Sequence, residues 1–214
     1  VSDIDIDPAG NLYLFNDWNQ IVRIDNGVVN SVMYDNGIAN SAARFNLAAV
    51  NVDLVYFVNY LDPRVYQMIG TSKSNFVTDN LPYDTTEPIN RFNYPLRAPS
   101  SITYASMSDS LIFADTDNDR IMRLSFSDLN IYYLVANAGG TRFSEGIDPL
   151  AMAPAKPRVV DYNPITGKIF FVEQGSNRVL YIDATGKVRL FAGTGAMEFS
   201  GDGGPATAAG LNDP

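Results

Sequence analysis

Asp5, Asn51, Thr103 and Asp161 are oxygen-bearing side chains set between apolar or aromatic neighbours: Ile4 and Ile6, Val50 and Val52, Ile102 and Tyr104, Val160 and Tyr162. Brought to one point, such oxygens suit a hard cation such as calcium, which takes six to eight oxygen ligands at about 2.3–2.6 Å. They would equally line a solvent-filled channel. Asp3, Asp5 and Asp7 alternate with Ile4 and Ile6, so period two places three carboxylates on one strand face. A carboxylate pair does acid–base work when its two pKa values are driven apart; otherwise it is a solvated strand face. Asp115-Thr116-Asp117-Asn118-Asp119 opens like a calcium loop. It lacks the glycine at position six and the glutamate at position twelve that an EF-hand needs. Gly201–Gly204 offers backbone N–H groups to an anion but lacks the Lys-Ser/Thr of a Walker loop.

Composition removes much other chemistry. The 214 residues contain no cysteine and no histidine. Disulfides, thiolate nucleophiles and cysteine-zinc sites are excluded, along with the commonest general base and metal ligand. Fifteen basic residues against twenty-four acidic give a net charge of −9. A phosphate-tracking surface needs the opposite sign, so nucleic acid is not an expected partner. No apolar run approaches the roughly 20 residues of a membrane-spanning helix.

The positioning elements read as short strands in four similar sets. Tyr13-Leu14-Phe15-Asn16, Tyr56-Phe57-Val58-Asn59, Ile112-Phe113-Ala114-Asp115 and Phe170-Phe171-Val172-Glu173 are each three mainly apolar residues closed by a polar one. An alternating run follows each: Gln20–Ile24, Arg64–Met68, Arg120–Leu124 and Arg178–Ile182. A third run comes later, at Val28–Met33, Asn75–Thr78, Ile131–Ala136 and Val188–Ala192. A fourth precedes each set, at Ile4–Asp7, Val50–Val52, Ile102–Ala105 and Val159–Tyr162. The closing polar residues are 43, 56 and 58 positions apart. A four-stranded unit recurring every 40–60 residues is the arithmetic of a β-propeller blade. The sequence therefore predicts an all-β propeller of four-stranded antiparallel blades, four in this chain, at about 1–46, 47–99, 100–155 and 156–214. The oxygen-bearing set would lie on the innermost strands and converge on the axis. Ser41–Asn46 and Thr207–Asn212 match as linkers and predict one helical turn across the rim.

Ala192-Gly193-Thr194-Gly195, Phe199–Ala209 and Leu211-Asn212-Asp213-Pro214 together resemble the NHL-repeat propeller signature, and Ala114–Ile121 resembles its other half. The resemblance covers the chain, strongest in the third and fourth units. It implies that the Asp115 and Glu173 carboxylates pair with Arg120 and Arg178 to orient their hairpins. Asn59 with Arg64 and Asn16 with Gln20 are weaker and neutral versions, so no chemistry depends on that charge. NHL propellers commonly have more blades than four, and the spacing pattern leads us to expect a module of a longer chain.

Function is expected to be non-catalytic: a binding or structural module of a cell-surface or extracellular protein, contacting protein partners or copies of itself through loops and blade edges. No cofactor is required by this reading. Trp18, at a turn, and Tyr83 and Tyr94, in the long Asn80–Pro99 linker, are the expected partner contacts. The alternative is a calcium-assisted hydrolase or lactonase in which Asp5, Asn51, Thr103 and Asp161 hold the ion.

Overall fold

A computed structural model describes residues 3–16, 20–34, 45–52, 54–69, 72–78, 89–92, 94–136 and 139–214. The first sheet contains β1 (Asp3–Ile6), β2 (Leu12–Phe15), β3 (Gln20–Asp25) and β4 (Val28–Tyr34). The second contains β5 (Phe45–Asn51), β6 (Leu54–Asn59), β7 (Asp62–Ile69) and β8 (Ser72–Val77). A two-residue strand, β9 (Ile89–Asn90), comes next. The third sheet contains β10 (Pro99–Ala105), β11 (Ser110–Asp115), β12 (Arg120–Ser125) and β13 (Asn130–Val135). The fourth contains β14 (Pro157–Tyr162), β15 (Ile169–Glu173), β16 (Arg178–Ile182) and β17 (Val188–Ala192). Each sheet is an antiparallel meander in chain order, and β9 adds a fifth strand beside β13. This is the predicted four-blade propeller.

Local chemistry explains the elements. The strands are rich in β-branched and aromatic residues, and short turns join them. Asn26-Gly27 closes the β3–β4 hairpin with both residues at positive φ, 49° and 78°, the backbone that a two-residue hairpin demands. The outer hairpin of every blade carries a register shift, at Arg23/Ile24, Val65/Tyr66, Ile121/Met122 and Val179/Leu180. Such bulges increase local twist. Ala206–Ala208 forms the expected single helical turn, of the 3-10 type; the matching Ser41–Arg44 stretch lies outside the described residues.

The core sits between blades. Tyr13, Phe15 and Ile21 pack on Leu47, Phe57, Tyr66 and Met68 between blades 1 and 2. Tyr56, Val58 and Phe76 pack on Ile102, Leu111 and Phe113 between blades 2 and 3. Ala105, Ile112 and Ile121 pack on Val160, Phe171 and Leu180 between blades 3 and 4. Phe15 and Phe57 meet at 5.7 Å, and Phe57 stacks on Tyr66 at 5.0 Å.

One strand departs from expectation. The innermost strand of blade 2 was expected over Val50–Val52, but β5 runs Phe45–Asn51. Val52 instead forms the turn, and Asn51 pairs with Leu54 at its neck, after a register shift. The apolar–polar–apolar Val50-Asn51-Val52 imitates the strand pattern. The better run is Leu47-Ala48-Ala49, whose side chains are buried in the cores on either side of blade 2.

Candidate functional site

Strand pairing fixes which residues are equivalent. Asp5 opposes Tyr13, Ala48 opposes Tyr56, Thr103 opposes Ile112 and Asp161 opposes Phe170. The ring at this level is therefore Asp5, Ala48, Thr103 and Asp161. Asp5, Thr103 and Asp161 line one axial cavity of about 370 Å³, together with Asp7, Ala49, Tyr104, Ser106 and Tyr162. Asn51 is not among its lining residues; it is exposed, and its carbonyl accepts a hydrogen bond from the Tyr13 hydroxyl at 3.2 Å. Its place in the ring is corrected to Ala48, which brings a methyl group instead of an oxygen.

The carboxylates are already engaged. Asp5 Oδ2 accepts the Ala49 N–H of the next blade at 2.8 Å, while Oδ1 accepts its own neighbour's, Ile6, also at 2.8 Å. Asp161 Oδ1 accepts the Tyr162 N–H at 2.8 Å. Among the described residues no three Asp or Glu side chains come together as a metal would require. Two carboxylates and one hydroxyl would leave carbonyl groups or water to complete the six to eight oxygens calcium takes, and each Asp5 oxygen already accepts one N–H.

One level along, at Asp3, Asn46, Ser101 and Val159, lies an arrangement the sequence reading missed. Asp3 Oδ2 accepts the Leu47 N–H at 2.7 Å and the Asn46 amide at 3.0 Å. Asn46 Oδ1 accepts the Ile102 N–H at 2.5 Å and the Ser101 hydroxyl at 3.2 Å. Ser101 Oγ donates to the Val160 carbonyl at 3.2 Å and accepts the Val160 N–H at 3.1 Å. Each innermost strand thus clamps the backbone of the next. An innermost strand has a sheet partner on one side only, so its free N–H groups need acceptors. The sequence did carry a signal: Phe45-Asn46, Phe92-Asn93 and Leu211-Asn212 repeat an apolar-Asn pair, whose Asn46 member proves to be a clamp.

Hairpin ion pairs are realised unevenly. Asp115 is fully buried and accepts from Tyr94 Oη at 2.9 Å, the Arg97 N–H at 2.7 Å, Asn118 Nδ2 at 2.8 Å and Arg120 at 3.1 Å. The Arg120 guanidinium lies over the Tyr94 and Tyr133 rings at 5.1 and 5.7 Å. Glu173 forms no ion pair with Arg178. It accepts from the Ala155 N–H at 2.9 Å and Ser176 Oγ at 2.5 Å, while Arg178 donates to the Thr194 carbonyl and lies over Phe143. Arg64 pairs with Asp62 at 3.2 Å rather than with Asn59. Asn16 and Gln20 do bond, at 2.8 and 3.1 Å. Tyr94 is corrected as a partner contact: it is 1% exposed and its hydroxyl serves Asp115, so it belongs to the core. Trp18 and Tyr83 lie outside the described residues.

Burial pushes the carboxyl groups of Asp3, Asp5, Asp115 and Glu173 above their ordinary values of 3.8 and 4.5, against the hydrogen bonds that pull them down. At Asp7 burial acts the same way, but hydrogen bonds from Asn11, Tyr13 and Ala9 outweigh it and the value falls. For the raised groups the folded chain binds protons more tightly than the unfolded chain, so stability rises as pH falls through their window. The melting temperature is expected to climb between pH 7 and about 4. It should decline below that, where Asp7 and the likewise lowered Asp148 take up protons. Calorimetry across this range checks the sign; a steady loss of stability from pH 7 downward would contradict it.

No protein-family profile matches the chain, and no curated protein does. Solved structures do match in fold. An auxiliary nutrient binding protein from Bacteroides ovatus aligns over all of this chain and 52% of its own, at 12% identity and TM-score 0.58. A chain of a nidogen/laminin complex aligns over 86% of this chain and 62% of its own, at 16% identity and TM-score 0.54. Virginiamycin B lyase from Staphylococcus aureus aligns over 87% of this chain and 53% of its own, at 14% identity and TM-score 0.51. The chain thus spans between about half and three-fifths of the length of these structures, and at such identities the likeness is one of fold: this chain has the β-propeller fold.

Proposed function

We propose that this chain is a non-catalytic, NHL-type propeller that serves as a binding or structural scaffold for protein partners at the cell surface or outside the cell. The observation that carries this reading is the occupation of Asp5: both carboxylate oxygens hold backbone N–H groups, one on its own strand and one on the neighbouring blade. A side chain so used ties blade 1 to blade 2, a structural task that accounts for its place on the strand, while each oxygen keeps a second lone pair. The acidic charge and the absence of histidine point the same way. The surface location draws support from the nutrient-binding and nidogen/laminin structures that share the fold. Among the described residues no helix is long and apolar enough to cross a membrane.

The competing reading, a calcium-assisted hydrolase, predicts turnover. Chromogenic esters and lactones incubated with the chain in millimolar calcium should be hydrolysed no faster than by the Asp5→Ala and Asp161→Ala variants. A rate that falls by about 10²-fold or more in either variant, as loss of a catalytic group does, would overturn the scaffold reading.

A further inference from the structure

A cleft of about 560 Å³ lies where the outer strands of blade 3 meet the crossing to blade 4. Asn118, Asp119 and Arg120 enter it from the β11–β12 turn and the start of β12, Tyr133 from β13, and Arg142 and Pro154 from the crossing. Its floor is fixed by the buried Asp115, which holds Asn118 at 2.8 Å and Arg120 at 3.1 Å. The charge of Arg120 is thereby spent. Arg142 differs, for among the described residues it enters no ion pair. Its Nη1 donates to the Ala153 and Pro154 carbonyls, both at 3.3 Å, and no described residue takes its Nε and Nη2 donors. The backbone beside it is braced: the Thr141 N–H donates to the Ala151 carbonyl at 3.2 Å, and the Ala153 N–H to the Thr141 carbonyl at 2.8 Å. Asp119 brings the opposite charge. Its Oδ1 accepts the Lys156 N–H at 2.8 Å, and no described residue donates to its Oδ2.

We propose that this cleft binds the C-terminal residue of a protein partner, its α-carboxylate on Arg142 and its chain N–H on Asp119. Charge and donor complementarity select this occupant. Nε and Nη2 are the side-on pair of a guanidinium, the geometry that takes a carboxylate through two parallel hydrogen bonds. A carboxylate with an N–H one atom further along the chain answers a cation and an acceptor in the same cleft. Tyr133, Ala136 and Pro154 supply apolar wall for the terminal side chain. The volume lies within the roughly 300–1,000 Å³ of small-ligand pockets, so it holds one or two residues rather than a folded surface. The choice of a protein chain end rests on the scaffold reading above. A free amino acid carries the same carboxylate beside an ammonium group, and the test separates the two sources.

NMR titration of the isotope-labelled chain tests it with three probes: acetyl-alanyl-alanyl-leucine, the same peptide with its C-terminus amidated, and free leucine. The acid should bind and shift the backbone signals around Asp119, Arg142 and Ala153. The amide should bind about 10- to 100-fold more weakly, as loss of a charge-assisted hydrogen-bonded pair implies. Arg142→Gln should weaken the acid by a similar factor and leave the amide unchanged. Arg142 is exposed, so the variant should fold, and circular dichroism checks that it does. Equal binding of acid and amide, or undiminished binding of the acid to folded Arg142→Gln, would overturn the proposal. Free leucine binding as tightly as the peptide would overturn it too, by assigning the cleft to free amino acids. Binding of no probe at millimolar concentration would end it and leave the scaffold reading, which turnover decides, standing.

Discussion

Asp115→Ala is expected to lower the unfolding free energy by about 3–5 kcal/mol, the cost of removing one partner from a buried charge pair. Asp115 is fully buried and accepts four hydrogen bonds. Alanine would strand the Tyr94 hydroxyl, the Arg97 N–H, the Asn118 amide and the Arg120 guanidinium together. Those groups tie the 94–97 segment to the end of β11, so the crossing from blade 2 to blade 3 should loosen with them. Asp115→Asn keeps one acceptor but turns an amide toward the donors, and should recover only part of the loss. Denaturant unfolding measures both variants; a cost below about 1 kcal/mol for alanine would contradict the account.

Asn46→Ala should cost about 2–4 kcal/mol, the range for leaving several buried donors without acceptors. Asn46 bonds to blades on both sides: its amide donates to Asp3, and its oxygen accepts from Ile102 and Ser101. Ile102 and Ser101 are 2% and 1% exposed, so no water replaces the missing oxygen. Asn51→Ala is the control. Asn51 was the sequence's own choice for the axis, yet it is exposed beside a turn, and a surface change of this kind stays within about 0.5 kcal/mol. Similar costs at the two positions would contradict the register.

The contrast between Asn46 and Asn51 shows what was legible. Strand content and blade number follow from spacing and from apolar periodicity, because a strand with two covered faces must be apolar along its length. Leu54–Asn59 and Ser110–Asp115 are of that kind, and all four second strands, with Leu12–Phe15 and Ile169–Glu173, stand close to where the runs predict them. Innermost strands are harder. That of blade 2 packs the small residues Ala48 and Ala49 and so loses the bulky β-branched signature, while Val50-Asn51-Val52, at the strand's end and turn, imitates it. The site was half visible. Asp5, Thr103 and Asp161 do meet at one cavity. That their neighbours on the same strands act across the blade boundary is tertiary information: a carboxylate's partner 44 residues away leaves no local trace. The same holds for Glu173, whose spacing to Arg178 matches that of Asp115 to Arg120 but whose oxygens meet Ala155 and Ser176.

The central claim is that Asp5 is a clamp between blades 1 and 2, and that neither it nor Asp161 serves as a cation ligand. Unfolding of Asp5→Ala and Asp161→Ala, measured once in millimolar calcium and once in chelator, tests it most directly. The account predicts a loss of about 1–3 kcal/mol for Asp5→Ala, the cost of an unpaired buried Ala49 N–H. It predicts a change within about 0.5 kcal/mol for the exposed Asp161→Ala. Both values should be the same with calcium and without it. Stabilisation of the unaltered chain by calcium, abolished equally by either substitution, would contradict the claim and return Asp5, Thr103 and Asp161 to the role of an ion site.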